Sequence, residues 1–266
     1  MADGRALSLQ NPKLKLAASL KERKYRERHG LVLVEGERVI RQALSFGATF
    51  RYLFAHLESA DPGLVEAARQ AGATVLPVSP EGLKKVSDTP SPQGAIGVAE
   101  AAREAPGLIE RARWILVADR LRDPGNLGAL VRIGQAAAMD GIVSTFGSAD
   151  FGHPRCIRAS AGGYFALPFQ AGPAPEELAR RLAGSGWRIV VADAGGAEDI
   201  FSFDWSGRVA LVIGNEAEGP DPAFVAAGER VRIPMPGGIE SLNAAVAAGI
   251  IVYQMLGSRI RGEGGA

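Results

Sequence analysis

The stretch 230–257, RVRIPMPGGIESLNAAVAAGIIVYQMLG, constrains this chain more than any other. It opens with a strand-like run, 231–233. Pro234 and Pro236 then forbid both regular pairing and helix. Gly237 and Gly238 permit backbone angles that other residues resist and allow a ligand to approach the main chain. Glu240, Ser241, Leu242 and Asn243 follow, with Ser241 placed to cap a helix through its hydroxyl. The run 244–256 is apolar nearly all round, which calls for burial on most sides. A polar, glycine-lined loop is thus held on the end of a buried helix, a common way to build a small-molecule site. A strand, a turn and a core helix without a ligand fit the same residues.

With 266 residues, 47% of them apolar, the chain can build two modest domains or one large one. The formal net charge is only +1, so the molecule as a whole is not a polycation. A single cysteine, Cys156, excludes an internal disulfide and a cysteine-cluster zinc site and fits a reducing compartment. Its bland reading is an inert buried thiol. His29, His56 and His153 lie far apart, and no metal is expected. The first residues carry no apolar signal core. The longest apolar run falls short of the roughly 20 residues that span a bilayer. A cytoplasmic protein with no membrane partner is expected.

Charge is nonetheless local. Between Lys13 and Arg28, seven basic residues (Lys13, Lys15, Lys21, Arg23, Lys24, Arg26 and Arg28) face only Glu22 and Glu27. Leu14, Leu16, Ala17 and Leu20 give this segment one apolar stripe, predicting a basic helix broken at His29 and Gly30. Such a helix suits RNA phosphates; a merely solvated face has the same composition. Strands are expected at 31–37, 50–54, 74–78 and 95–99, alternating with helices at 38–45, 64–70 and 81–86. This is a small α/β unit, 1–103, joined through an alanine-rich linker, 104–113, to a second domain, 114–266. There, strands are expected at 114–118, 141–145, 187–192 and 209–213. Helices are expected from Asn126 or Leu127 to Met139, at 176–184 and at 224–227. The glycine-rich end, 262–266, reads as frayed.

Three stretches share one design, a buried strand followed by a polar, glycine-bearing loop: 119–132, 214–220 and 234–243. Parallel strands would bring all three to one edge of a sheet, where α/β proteins hold their ligands. That would gather Asn126, Arg132, Glu216, Ser241 and Asn243. No Ser-His-Asp set, no G-x-x-x-x-G-K-[ST] loop and no G-x-G-x-x-G after a strand is present. Asn126 and Ser241 could equally be helix caps, Glu216 a loop brace and Asn243 a satisfied core amide. Arg155 and Arg158 could meet RNA phosphates or pair with acids.

These loops carry a resemblance. NLGALVR at 126–132, IGNEAEGP at 213–220 and IPMPGGIESLNAA at 233–245 resemble, in order, the three motifs of the SpoU (TrmH-like) branch of the SPOUT RNA methyltransferases. RASAGG at 158–163 is similar to a segment usual between the first two motifs. The run 11–44 resembles the ribosomal-protein-like substrate-binding domain that often precedes that catalytic domain. The resemblance covers nearly the whole chain and implies an α/β protein whose C-terminal parallel sheet carries a trefoil knot, an exception to the usual topology rules. It further implies a homodimer and methylation of a ribose 2′-hydroxyl in RNA with S-adenosyl-L-methionine as cofactor. Gly214, Asn215, Ile233, Met235, Gly238, Ser241, Leu242 and Ala244 would hold that cofactor. Arg132 would act at the ribose hydroxyl, with Asn126, Glu216, Ser241 and Asn243 shaping the site. Lys13, Lys21, Arg23, Lys24, Arg26, Arg28, Arg155 and Arg158 would contact RNA. Ribosomal RNA is favoured over transfer RNA, because the N-terminal domain resembles that of rRNA-directed members. A non-catalytic RNA-binding assembly factor is the main rival. Ile133, Gln135 and Pro236 depart from the family pattern, none at a position with a chemical role.

Overall fold

Two groups of elements account for the chain, and the sequence explains where each begins. The computed structural model describes residues 6–263, with side chains as far as residue 260. By internal contacts one unit comprises residues 6–102 with 150–166, and the other 103–149 with 167–263.

The first unit runs α1 (Pro12–Ser19), α2 (Arg23–His29), β1 (Leu31–Glu35), α3 (Glu37–Ser45), β2 (Phe50–Ala55), α4 (Pro62–Gln70), β3 (Thr74–Pro77), α5 (Pro80–Val86) and β4 (Ala95–Glu100). The sheet order is β1-β4-β2-β3, with only β2 and β3 parallel. Leu14, Leu20, Leu33, Phe54 and Ile96 form its core. The expected single basic helix is two. Asn11 caps α1 by accepting from the Lys13 amide, and α1 stops at Leu20. The reason is Arg26, which is buried and donates to the carbonyls of Leu20 (3.0 Å) and Lys21 (2.7 Å), so the break is internally satisfied.

The second unit contains α6 (Leu108–Arg111), β5 (Trp114–Ala118), α7 (Pro124–Ala136) and β6 (Gly141–Ser144). The chain then contributes α8 (Pro154–Ala159) to the first unit, where α8 packs on β1. It returns with β7 (Phe169–Ala171), α9 (Pro175–Gly184), β8 (Arg188–Ala192), β9 (Glu198–Asp199), β10 (Val209–Ile213), α10 (Pro222–Ala227), β11 (Glu229–Arg232) and α11 (Ala244–Glu263). Residues 264–266 of the glycine-rich end lie outside the described residues. The stretch read as a linker is more than that, since Leu108 and Ile109 of α6 are buried in this unit's core.

All seven strands are parallel, in the order β7-β6-β5-β10-β8-β11-β9. The five residues of β10, VALVI, are buried throughout, as expected for a central parallel strand covered on both faces. Helices α9 and α10 cover one face through Leu178, Leu182 and Phe224. Helix α7 covers the other, where Gly134 faces Leu116 and Leu167, and α11 packs against α7. Ile213 of β10 is level with Ala118 of β5 and Ala192 of β8, so three chains leave the sheet side by side.

One buried side chain ties these exits together. Asp119, immediately past β5, is fully buried. It accepts from the Thr145 hydroxyl (3.0 Å) and the Asp221 amide (2.8 Å), and the Arg120 guanidinium lies 3.4 Å away. Helix α7 starts two residues before the expected position because Asp123 caps it, accepting from the Asn126 amide at 2.9 Å. Asp221 likewise extends α10 back to Pro222. Replacing Asp119 by Ala strands a buried hydroxyl and a part-buried amide and is expected to cost about 3 kcal/mol. Removing the Asp123 cap by Asp123→Ala is expected to cost about 1 kcal/mol. Urea denaturation midpoints at constant slope measure both.

Candidate functional site

The loop after β10 is shaped by its first two residues. A Cβ on Gly214 would lie 2.4 Å from the Pro220 nitrogen, so only glycine lets the chain double back there. Asn215 is buried and bonded through both ends of its side-chain amide. Its amide donates to the Arg120 carbonyl (2.9 Å), and its oxygen accepts from the amides of Ala217 (2.9 Å) and Glu218 (3.0 Å). Glu218 is held between Arg120 (3.0 Å) and Arg122 (2.7 Å). The result is a rigid hairpin laid against the start of the β5–α7 connection.

That arrangement brings three of the expected polar residues together. The Asn126 side-chain amide donates to the Glu216 carboxylate, and the Asn126 oxygen accepts from the Asn243 amide at 3.1 Å. Asn243 in turn accepts from the amides of Ala245 (3.0 Å) and Val246 (3.2 Å). Asn243, not Ser241, therefore caps α11, and the helix opens at Ala244. The segment before it stays irregular, as its prolines require. Asn126 is not a cap, because Asp123 fills that role. One hydrogen-bonded line thus joins Glu216, Asn126 and Asn243, residues from three separate motifs.

Beside this line lies a cavity of about 330 Å³. Gly214, Asn215 and Glu216 form one wall; Ile233, Met235, Ser241, Leu242 and Ala244 form another. Gly238 is not in the lining; it has a positive φ of 74° and open space around it. The wall missed from the sequence is Ala192, Asp193 and Ala194, the exit of β8. Its signal was available, since a parallel strand between β10 and β11 must end on the same edge. The Asp193 carboxylate is anchored by Arg230 (2.9 Å) and the Gly195 amide (2.8 Å). Ala247 and Ile251 of α11 close the floor. Aliphatic walls with a rim of loop backbone suit a ligand with an apolar middle and polar ends.

Arg132 stands apart. It is exposed on α7, six residues after Asn126, and at 3.6 residues per turn it faces another way. No hydrogen bond or ion pair ties its side chain to Asn126, Glu216 or Asn243.

The basic residues sort in the same plain way. Lys13, Arg23, Lys24, Arg28 and Arg155 are exposed. Arg23 and Lys24 pair with Glu27 (2.6 Å) and Glu22 (2.9 Å). Hydrogen bonding to Glu27 raises the Arg23 pKa, against a smaller opposing effect of burial. The half-buried Lys21 donates to the Lys85 carbonyl at 3.1 Å. Arg26 does not reach solvent as an RNA contact, because it is buried and paired with Asp150. Arg158 is half-buried and pairs with the buried Glu35 at 3.3 Å, with Asp88 3.8 Å away, so it serves the first unit's interior. Cys156 is fully buried, and burial pushes its thiol pKa far up, leaving it inert. Among the described residues there is no cluster fit to hold a metal ion, and no helix is long and apolar enough to cross a membrane.

Known proteins share this architecture along nearly all of the chain. The model of the SpoU rRNA Methylase family matches residues 113–253, and that of the MRM3-like substrate binding domain matches 11–97. The 23S rRNA (uridine(2479)-2′-O)-methyltransferase of Streptomyces viridochromogenes is 33% identical, over 92% of this chain and 89% of that protein. The 23S rRNA (guanosine(2553)-2′-O)-methyltransferase RlmP of Bacillus subtilis (strain 168) is 29% identical, over 94% and 98%. Among solved structures, the SpoU methyltransferase AviRb from Streptomyces viridochromogenes in complex with the cofactor AdoMet is similar with a TM-score of 0.80. It is 30% identical, over 94% of this chain and 99% of that one. With three motifs converging on one sheet edge, and with both family models matched in the expected order, the chain belongs to the SpoU rRNA methylase family.

Proposed function

We propose that the protein methylates a ribose 2′-hydroxyl of ribosomal RNA, most specifically 23S rRNA, with S-adenosyl-L-methionine as methyl donor. The observation that carries this reading is the cavity lined by Gly214, Ile233 and Leu242, with the Glu216–Asn126–Asn243 line at its side. The residues fit the cofactor. Backbone groups of the 214–220 and 233–243 loops offer donors and acceptors to its adenine and amino-acid ends, and Met235, Leu242 and Ile251 offer apolar contact to its middle. Bound there, the cofactor supplies an electrophilic methyl group on a sulfonium. The knotted threading implied by the family resemblance belongs to the same proposal. It is supported by the contacts of the 214–220 loop with Arg120, through the Asn215 amide and the Gly219 carbonyl.

The protein's own work is to place a weak nucleophile in line and to manage its proton. Orientation alone can lower such a barrier by about 7–11 kcal/mol in favourable cases. The Glu216–Asn126–Asn243 line fixes the two loops against α7 and α11, so the methyl-accepting oxygen meets a preorganised wall. A guanidinium stays protonated in ordinary settings. Arg132 is therefore assigned as the cation that stabilises the forming alkoxide at the ribose. RNA capture is assigned to the first unit, through Lys13, Arg23, Lys24, Arg28 and Arg155, within a domain reading of 1–103, 104–113 and 114–266. Residues 150–166 act with the capturing unit. Cytoplasmic residence is part of the same reading.

A homodimer completes the proposal. Val246, Tyr253 and Ile260 are all exposed on α11, at 51%, 54% and 62%. Their seven-residue spacing puts them on one face, the pattern of a helix that meets another helix. This departs from the expected all-round burial of α11 and leaves an apolar stripe for a second copy. Arg132 lies on α7, the helix that packs against α11, so pairing through this face brings it near the interface.

Calorimetry with S-adenosyl-L-methionine, followed by tritiated methyl transfer to rRNA from cells lacking the protein and mapping of the modified ribose, tests the reaction. A folded sample giving no heat at millimolar donor overturns it. Arg132→Ala is expected to lower methyl transfer by about 10²–10³-fold, the range for losing one group that stabilises developing negative charge, while donor affinity is unchanged. Collapse of donor binding in that variant would make Arg132 structural. Tyr253→Asp is expected to halve the mass seen by light scattering, and an unaltered mass removes the α11 face from the interface.

A further inference from the structure

We infer that Phe146 is a stacking platform for an unpaired RNA base next to the methylated nucleotide. The inference rests on the RNA methyltransferase reading above. Phe146 follows β6 on the ligand-bearing edge of the sheet and is 75% exposed. A single exposed apolar side chain is ordinary in itself, so the weight falls on how the ring is held and what stands beside it.

The loop here is not loosely held. The Phe146 amide donates to the Pro173 carbonyl at 2.8 Å, and the Thr145 amide to the Ala118 carbonyl at 3.1 Å. The Ser148 hydroxyl donates to the same Ala118 carbonyl at 3.1 Å, and the Ala149 amide to the Leu121 carbonyl at 2.7 Å. Thr145 also binds the buried Asp119. Gly147, at φ 90°, makes the tight turn that leaves the ring outside. The ring is therefore presented by a backbone fixed on both sides, which lowers the ordering cost of a partner.

What surrounds it selects the partner. The loop is stapled to residues 118–121, the segment that leads into Asn126 of the proposed site. The same segment carries Arg122, whose side chain is 66% exposed and pairs with Glu218 at 2.7 Å, whereas Arg120 is taken up by Asp119 and Glu218. An aromatic face with one exposed guanidinium on the stapled segment fits a base and its phosphate. In duplex RNA the base faces are hidden, so the platform selects a loop, a bulge or an opened helix. Phe201 serves as a comparison: it is 62% exposed but follows β9, which pairs with β11 on the opposite side of the cavity from β6, where, among the described residues, no loop staples it to residues 118–121.

The test uses the full-length protein with Phe146→Ala, Phe146→Leu, Phe146→Trp and Phe201→Ala. With deproteinised rRNA as substrate, Phe146→Ala and Phe146→Leu are expected to raise KM about tenfold, a typical loss for one stacked base. Phe146→Trp and Phe201→Ala are expected to match wild type, and donor affinity to stay constant in all four. A short unstructured oligoadenylate, bound and followed by fluorescence anisotropy, gives a readout independent of methyl transfer, and the same order of variants is expected. Equal oligoadenylate binding by wild type and Phe146→Ala overturns the inference. Rescue by Leu as complete as by Trp also overturns it, since that marks apolar contact without stacking. So does a change in oligomer mass in Phe146→Ala, which places the ring in a protein interface. If wild type transfers no methyl group while Phe146→Ala still loses the oligoadenylate, the parent reading fails and the platform stands.

Discussion

The second unit depends on a single buried carboxylate. Asp119 has no water to share its charge, so its oxygens must be met from within. They are met by a hydroxyl from the β6 exit, an amide from the start of α10 and the neighbouring guanidinium of Arg120. Each partner belongs to a loop that leaves the same sheet edge. A charge that costs much to bury is thus turned into a condition on three loops at once, because moving any one of them leaves a polar group unsatisfied. The Phe146 loop and the segment that follows the 214–220 hairpin each take one of their anchors from this residue.

From that anchor the order spreads outward through amides rather than charges. Asn215 repeats the principle with a neutral side chain, fixing its own hairpin and gripping the Arg120 carbonyl. Asn126 and Asn243 continue it to the first turn of α11. Amides suit this task, since each offers both a donor and an acceptor in one plane. A line built this way has a direction, from Glu216 to the helix end, and cannot slide by one residue.

Much of this was legible in the sequence. Five of the seven parallel strands and the convergence of three loops follow from buried runs that end in glycine and polar residues; the short edge strands β7 and β9 are too brief to show as such runs. The pocket walls at Gly214, Ile233 and Leu242 were implied by the family resemblance rather than by that pattern. Other features were set by single contacts that periodicity does not register. Arg26 read as one more basic residue in a run, yet its reach to Leu20 and Lys21 splits the helix and removes it from the surface. Arg158 was hidden in the same way by Glu35. The Asp193 wall was passed over because its strand was noted and its exit was not. Ser241 looked like the cap because it comes first, whereas the prolines before it delay the helix to Ala244, and Asn243 takes the place.

The excursion of residues 150–166 carries a consequence for how such proteins diversify. The chain enters the N-terminal unit, leaves it, and returns to supply α8 against β1 before finishing in the parallel sheet. No single cut of the polypeptide separates the two bodies. Exchange of the N-terminal unit between such proteins must therefore carry two distant stretches together.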